Sequence, residues 1–127
     1  MEKWQVSWAQ NKYWVMSRSQ QYYNEIRILA KENHWDEECQ QRYEQILQEI
    51  DDMAPTRKTL TTAYQHVWGY FKKRATLEEK QNYQILLKKL EEKNDELGRY
   101  LVELTDKYEV KYLAESTLIK RLREANK

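Results

Sequence analysis

The chain has 127 residues, with 22 basic and 21 acidic side chains and a formal net charge of +1, so one domain over residues 1–127 is expected and overall basicity argues for nothing. Two glycines and one proline are too few turn residues for a β-sandwich or barrel. Leu, Ile, Val and Phe make up only about a fifth of the chain, so its 5 Trp and 10 Tyr must supply much of the core.

The apolar period is helical throughout, which predicts an all-α bundle of five or six helices. A first helix is expected from about residue 3 to 17, with Trp4, Trp8 and Val15 on one face. Ser19 is the expected N-cap of a second helix carrying Tyr22, Ile26 and Leu29. Asn33 to Asp36 is the next break, and Asp36 is expected to cap a third helix. There Cys39, Tyr43, Ile46, Ile50 and Met53 form one stripe, with Cys39 expected as a buried thiol, until Pro55 ends it. The next helix is expected over Thr56 to Lys73, lined by Leu60, Tyr64, Val67, Trp68 and Phe71. Thr76-Leu77-Glu78-Glu79 reads as a capping box. Beyond it Tyr83, Leu90, Leu97 and Leu104 recur every seven residues, shadowed by Leu87, Asn94, Leu101 and Tyr108. That repeat suits a long helix in bundle-like contact, although one helix or two over 77–110 stays open. Gly98 lies off the stripe, as a kink or as nothing. A last helix around Leu113 to Arg123 carries Leu118, Ile119 and Leu122.

Charge is informative once divided. Residues 57–74 hold Arg57, Lys58, Lys72, Lys73 and Arg74 and no acid, whereas residues 32–52 hold eight acids against Arg42 alone. Basic side chains interleaved with Tyr70 and Phe71 suit phosphates and unpaired bases, yet three cations at a helix end also complement the helix dipole without any ligand. Thr59, Thr62, His66, Tyr70 and Lys73 project together as a polar stripe with no carboxylate among them, so an oriented acid–base pair is not evident. Asn11, Lys12 and Arg18 intrude on the first apolar face, where long cationic stems commonly lie along apolar surface. If the first and fourth helices are neighbours, Lys12 and Arg18 join Lys72, Lys73 and Arg74 in one anion-binding surface.

No catalytic residue, metal site or cofactor is expected, and the reading leans away from an enzyme. His34, His66 and Cys39 lack paired ligand spacing, and two isolated glycines make no phosphate loop. No apolar run is long enough to span a membrane, and Met1-Glu2-Lys3-Trp4 opens no secretory signal, so the cytoplasm is the expected compartment.

Two stretches together resemble the YbgA family, a bacterial domain of unassigned biochemical activity. Asn11-Lys12-Tyr13-Trp14-Val15-Met16-Ser17-Arg18-Ser19, followed by Tyr23, Ile26 and Leu29, is similar to that family's His-Lys-Tyr-x-x-Met-x-His-Ser opening and the helix after it. His66-Val67-Trp68-Gly69-Tyr70-Phe71-Lys72-Lys73, then Thr76 and Glu79-Lys80, is similar to its His-x-x-Gly-Tyr-Phe-Lys block. The resemblance covers about residues 8 to 92. Asn11 and Arg18 replace histidines common in the family, and no Pro-rich stretch follows Gly98. The resemblance implies an all-α domain, occurring alone or fused to a cysteine-rich desulfidase domain that removes sulfur from thiouracil-type bases, including thiolated uridine in transfer RNA. The helical part would grip the RNA.

The expected function is therefore a non-catalytic nucleic-acid-binding helper for RNA or transfer RNA. Arg57, Lys58, Lys72, Lys73 and Arg74 would contact phosphates, assisted by Lys12 and Arg18, with His66 and Tyr70 meeting a base or ribose. A desulfidase-type protein is a candidate partner. The competing expectation is a protein-interaction or homo-oligomerising module built on the Tyr83 to Tyr108 stripe and the acidic third helix.

Overall fold

The computed structural model describes residues 1–31 and 34–126. Eight helices follow in order among the described residues: α1 (Lys3–Arg18), α2 (Gln20–Lys31), α3 (Glu37–Asp52), α4 (Arg57–Trp68), α5 (Leu77–Lys89), α6 (Glu96–Lys107), α7 (Lys111–Ala114) and α8 (Thr117–Ala125). The all-α class is as expected, with more helices than the five or six foreseen. The first three begin and end near their expected positions, and the fourth begins near its own, because local capping decides them. The Ser19 hydroxyl accepts from the Tyr22 N–H at 3.1 Å, the Asp36 carboxylate from the Cys39 N–H at 2.9 Å, and Thr56 forms a capping box with Thr59. Asn33, at the edge of the expected break, lies outside the described residues.

α1 is the centre of the molecule and packs against α2, α3, α4 and α8. Tyr13, Trp14, Val15, Met16 and Ser17 are consecutive and all buried, so its last turns are enclosed on every side rather than along the one face its pattern suggested. The buried Ser17 hydroxyl donates to the Trp14 carbonyl at 2.7 Å, and Asn11 finds partners on three elements: Ser7, the Tyr43 hydroxyl at 3.2 Å, and Thr117. Asn11 is thereby a crosslink between helices.

One expectation is corrected in the second half, and one alternative left open is decided. The fourth helix stops at Trp68, and Gly69–Arg74 is a chain of tight turns. There Tyr70, Phe71 and Arg74 donate to carbonyls three residues back, at 2.9–3.0 Å, and the chain then reaches the extended Thr76 cap of α5. The seven-residue stripe does not run along one helix either. Leu90 ends α5, a turn closed by the Glu91–Asn94 bridge follows, and α6 returns against α5, so Tyr83, Leu90, Leu97, Leu101 and Leu104 are all core. The last expected helix divides into α7 and α8.

Gly98 is neither a kink nor idle. A Cβ there would stand 2.7 Å from Asp95 Oδ2, 2.8 Å from the Tyr64 hydroxyl and 2.9 Å from Leu122 Cδ2. Only a hydrogen on this face lets α6 approach α4 and α8 closely. Tyr64, fully buried, donates its hydroxyl to Asp95, whose other oxygen accepts the Gly98 N–H at 2.8 Å. Burial, reinforced by the negative Asp95, raises the Tyr64 phenol above its ordinary range, so it stays a donor.

Candidate nucleic-acid interface

α1 and α4 are neighbours and run antiparallel, since Tyr13 meets His66 and Tyr70 while Arg18 reaches back to Met53, just before α4. This packing brings the two sequence blocks of the sequence analysis onto one surface. The hydroxyls of Tyr13 and Tyr70 lie 3.0 Å apart, their rings meet edge to face at 6.2 Å, and the His66 ring stands 6.4 Å from that of Tyr13. The Lys12 ammonium sits 5.3 Å from the Tyr13 ring centroid. Tyr112 from α7 stacks on Tyr70 at 5.8 Å and donates its hydroxyl to the Ala9 carbonyl at 2.6 Å, which closes the cluster from a third side.

The ring edges divide into buried and presented parts. Tyr13 is 6% exposed and Tyr70 37% exposed, so the pair has one anchored and one accessible member. Burial, then the hydrogen bond with Tyr70, raises the Tyr13 phenol above its ordinary value and keeps it protonated. The exposed His66 ring holds the Thr62 carbonyl through Nδ1 at 2.8 Å; a carbonyl only accepts, so Nδ1 carries the proton and Nε2 is the acceptor of the neutral ring.

The expected cations separate into two groups. Three arginines are tied to backbone oxygens. Arg57 donates to the Leu90 carbonyl at 2.9 Å, and Arg74 to the Tyr108 carbonyl at 3.2 Å, with its guanidinium 5.0 Å from the Tyr108 ring centroid. Arg18 donates to the Met53 carbonyl at 2.5 Å and stacks 4.2 Å from the Trp14 ring centroid, near Arg121, which lies 4.8 Å from the same ring. Burial lowers the Arg18 guanidinium's pKa, and its enclosed Nε has no acceptor among the described residues. Arg18 thus braces the Met53 end of the molecule and does not join Lys12. Lys58, Lys72 and Lys73 are exposed, and none of the five cations of 57–74 bridges an Asp or Glu among the described residues. Lys72 borders a cleft of about 380 Å³ between α4 and α5, floored by Trp68 and Tyr83, whose rings stack at 4.2 Å.

The acidic helix does not cover this surface. α3 packs against α1 and α2; its own Arg42 holds Glu25 of α2 at 2.5 Å, and its Asp51 holds Arg121 of α8 at 2.9 Å. The charge asymmetry visible in the sequence survives folding as two separate faces.

Sequence reasoning missed Tyr13 and Tyr112 as site residues. Tyr13 stood inside a quoted block, but its neighbours across the interface come from α4 and α7, which periodicity alone does not pair. Cys39, expected as a buried thiol, is half-buried near the start of α3, its Sγ 3.8 Å from the His34 carbonyl. Among the described residues no group of three or more His, Cys, Asp or Glu is placed to hold a metal ion, and no helix is long and apolar enough to cross a membrane.

The model of the family described as "Protein of unknown function (DUF1722)" matches residues 12–121, well over half of the chain, and the chain belongs to that family. No curated protein and no solved structure matches it.

Proposed function

We propose, from membership of a family without an assigned activity, that this chain is a YbgA-like, non-catalytic nucleic-acid-binding helper acting on RNA in the cytoplasm. The observation that carries the reading is the meeting of Lys12-Tyr13 with the exposed His66 and Tyr70, on the segment that also carries the exposed Lys72 and Lys73, which form no ion pair among the described residues. Ammonium groups without carboxylate partners exchange water and counterions for phosphates, and the accessible Tyr70 and His66 rings offer stacking faces and one acceptor nitrogen. The resemblance to the domain fused to thiouridine desulfidases supports transfer RNA as the target and a desulfidase-type protein as the partner. Arg57, Arg74 and Arg18, engaged with carbonyls, are retained as scaffold, and the phosphate contacts are assigned to Lys12, Lys58, Lys72 and Lys73. The protein-interaction or homo-oligomerising alternative would have to rest on the acidic α3, because Leu97, Leu101 and Leu104 of the stripe are buried inside the fold.

The test is a fluorescence titration with transfer RNA at several salt concentrations. Binding should weaken as salt rises. Lys72→Ala with Lys73→Ala should lower affinity about tenfold and reduce the slope of log K against log salt by roughly 1.8, for two lost phosphate contacts. Absent binding at low salt, or binding without a salt slope, removes the proposal.

A further inference from the structure

A second surface lies on the other side of α1. α2 packs along the first turns of α1 and leaves an open cleft of about 670 Å³ lined by Trp8, Asn24, Arg27, Ile28, Ala30 and Lys31. No acid borders it among the described residues, and neither Arg27 nor Lys31 forms an ion pair among them. Its apolar wall is Trp8 together with Ile28, which is 71% exposed. The Trp8 ring is fixed from behind by Tyr43, edge to face at 6.3 Å, and flanked by Tyr23 at 5.7 Å. The wall is therefore rigid before any ligand arrives, which lowers the entropy cost of binding.

Two cations of α2 beside an apolar wall of Trp8 and Ile28 suit a ligand that is flat and apolar at one end and anionic at the other. We infer that this cleft holds one unpaired nucleotide of a single strand, its base against Trp8 and Ile28 and its phosphates on Arg27 and Lys31. The chain links the cleft to the surface of the proposed function: Tyr112 binds the Ala9 carbonyl, next to Trp8 in the chain, and also stacks on Tyr70. A strand leaving the cleft toward Tyr70 would pass from cations at α2 to lysines after α4. A duplex cannot place a base in the cleft, so the inference narrows the proposed function, on which it rests, from RNA in general to RNA with an unpaired segment.

The experiment titrates three probes: a single-stranded RNA dodecamer, a blunt duplex of the same sequence, and free uridine monophosphate. The proteins are the unaltered chain, Arg27→Glu with Lys31→Glu, and Lys72→Ala with Lys73→Ala. Arg27 and Lys31 are exposed, so their substitution leaves the circular dichroism melt unchanged. The expected result is tighter binding of the single strand than of the duplex. The α2 variant should lose at least tenfold in affinity for the single strand, reduce the salt slope by roughly 1.4, and alter duplex binding less than twofold. If the α2 variant binds the single strand like the unaltered chain while the Lys72 and Lys73 variant does not, the cleft inference falls and the proposed function stands. If only the α2 variant loses binding, the cleft holds and the proposed lysine contacts fall. Free uridine monophosphate bound as tightly as the dodecamer overturns the strand assignment, and no RNA binding by the unaltered chain overturns both.

Discussion

The arginines and the lysines of the basic segment 57–74 carry the same formal charge and meet different fates. Toward the α5–α6 hairpin, Arg57 and Arg74 are fixed on the Leu90 and Tyr108 carbonyls, and Glu79 gathers Lys107 and Tyr108 into one junction. Lys58, His66, Tyr70, Lys72 and Lys73 are exposed, and the half-buried Lys12 of α1 lies beside the Tyr13 ring. The difference follows side-chain chemistry. A planar guanidinium has several fixed donors and tolerates partial burial against carbonyls and rings, whereas an ammonium is strongly hydrated and stays in water until a phosphate replaces that water. A cluster of cations in a sequence is thus two populations, and the arginines of this one belong to the scaffold.

The comparison breaks most completely at Leu101, which is fully buried where α6 meets its neighbours. Leu101→Glu should cost about 4 kcal/mol or more, by burying an unpaired carboxylate, and abolish the cooperative thermal transition in circular dichroism. Leu77→Glu, at a site 72% exposed, should leave the transition within about 0.5 kcal/mol of the original. If Leu101→Glu folds and only changes the oligomeric state, the hairpin is an association surface after all.

A smaller effect is expected at Gly98. Gly98→Ala gains some helix propensity but drives its methyl into Asp95, Tyr64 and Leu122, so a net loss of about 1–3 kcal/mol is expected from denaturant midpoints. RNA affinity should stay unchanged, because the contact lies away from the α1–α4 surface; unaltered stability would mean that α6 is less tightly seated.

The smallest effect is the pH dependence of the Glu79 junction. Hydrogen bonds from Lys107 and then Tyr108 lower the Glu79 carboxyl from 4.5 to about 2. Its folded pKa lies below its unfolded one, so the associated stability is complete above about pH 4.5 and fades as pH falls toward 2. With Lys107 largely in water, the contribution is about 1 kcal/mol. Glu79→Gln should lower the melting temperature by a few degrees at pH 7 and make it less sensitive to acid between pH 4.5 and 2. Equal acid sensitivity in both proteins would place the titration elsewhere.

Much of the fold was legible because its signals are local. Ser19, Asp36, Thr56 and Thr76 cap helices through contacts three residues away, so their roles are written in neighbouring letters. The seven-residue stripe left one helix or two undecided for a physical reason: a short turn between Leu90 and Leu97 preserves the spacing while reversing the chain, and both arms of a hairpin bury the same kind of face. Gly98 was illegible because its constraint comes from Tyr64 and Leu122, on other helices. At the interface, His66 and Tyr70 were named from their own helix, while Tyr13 and Tyr112 entered through packing.

Composition, periodicity and caps determined by themselves that the chain is helical, where most helices begin, and which residues line their inner faces, since each of these depends on atoms within about one turn. Whether a charge is available to a partner depends on which carbonyl or ring the fold brings within 3 to 5 Å of it. Tertiary packing alone decided that three arginines brace the scaffold, that three lysines face water, and that Lys12, Tyr13, His66 and Tyr70 share one surface.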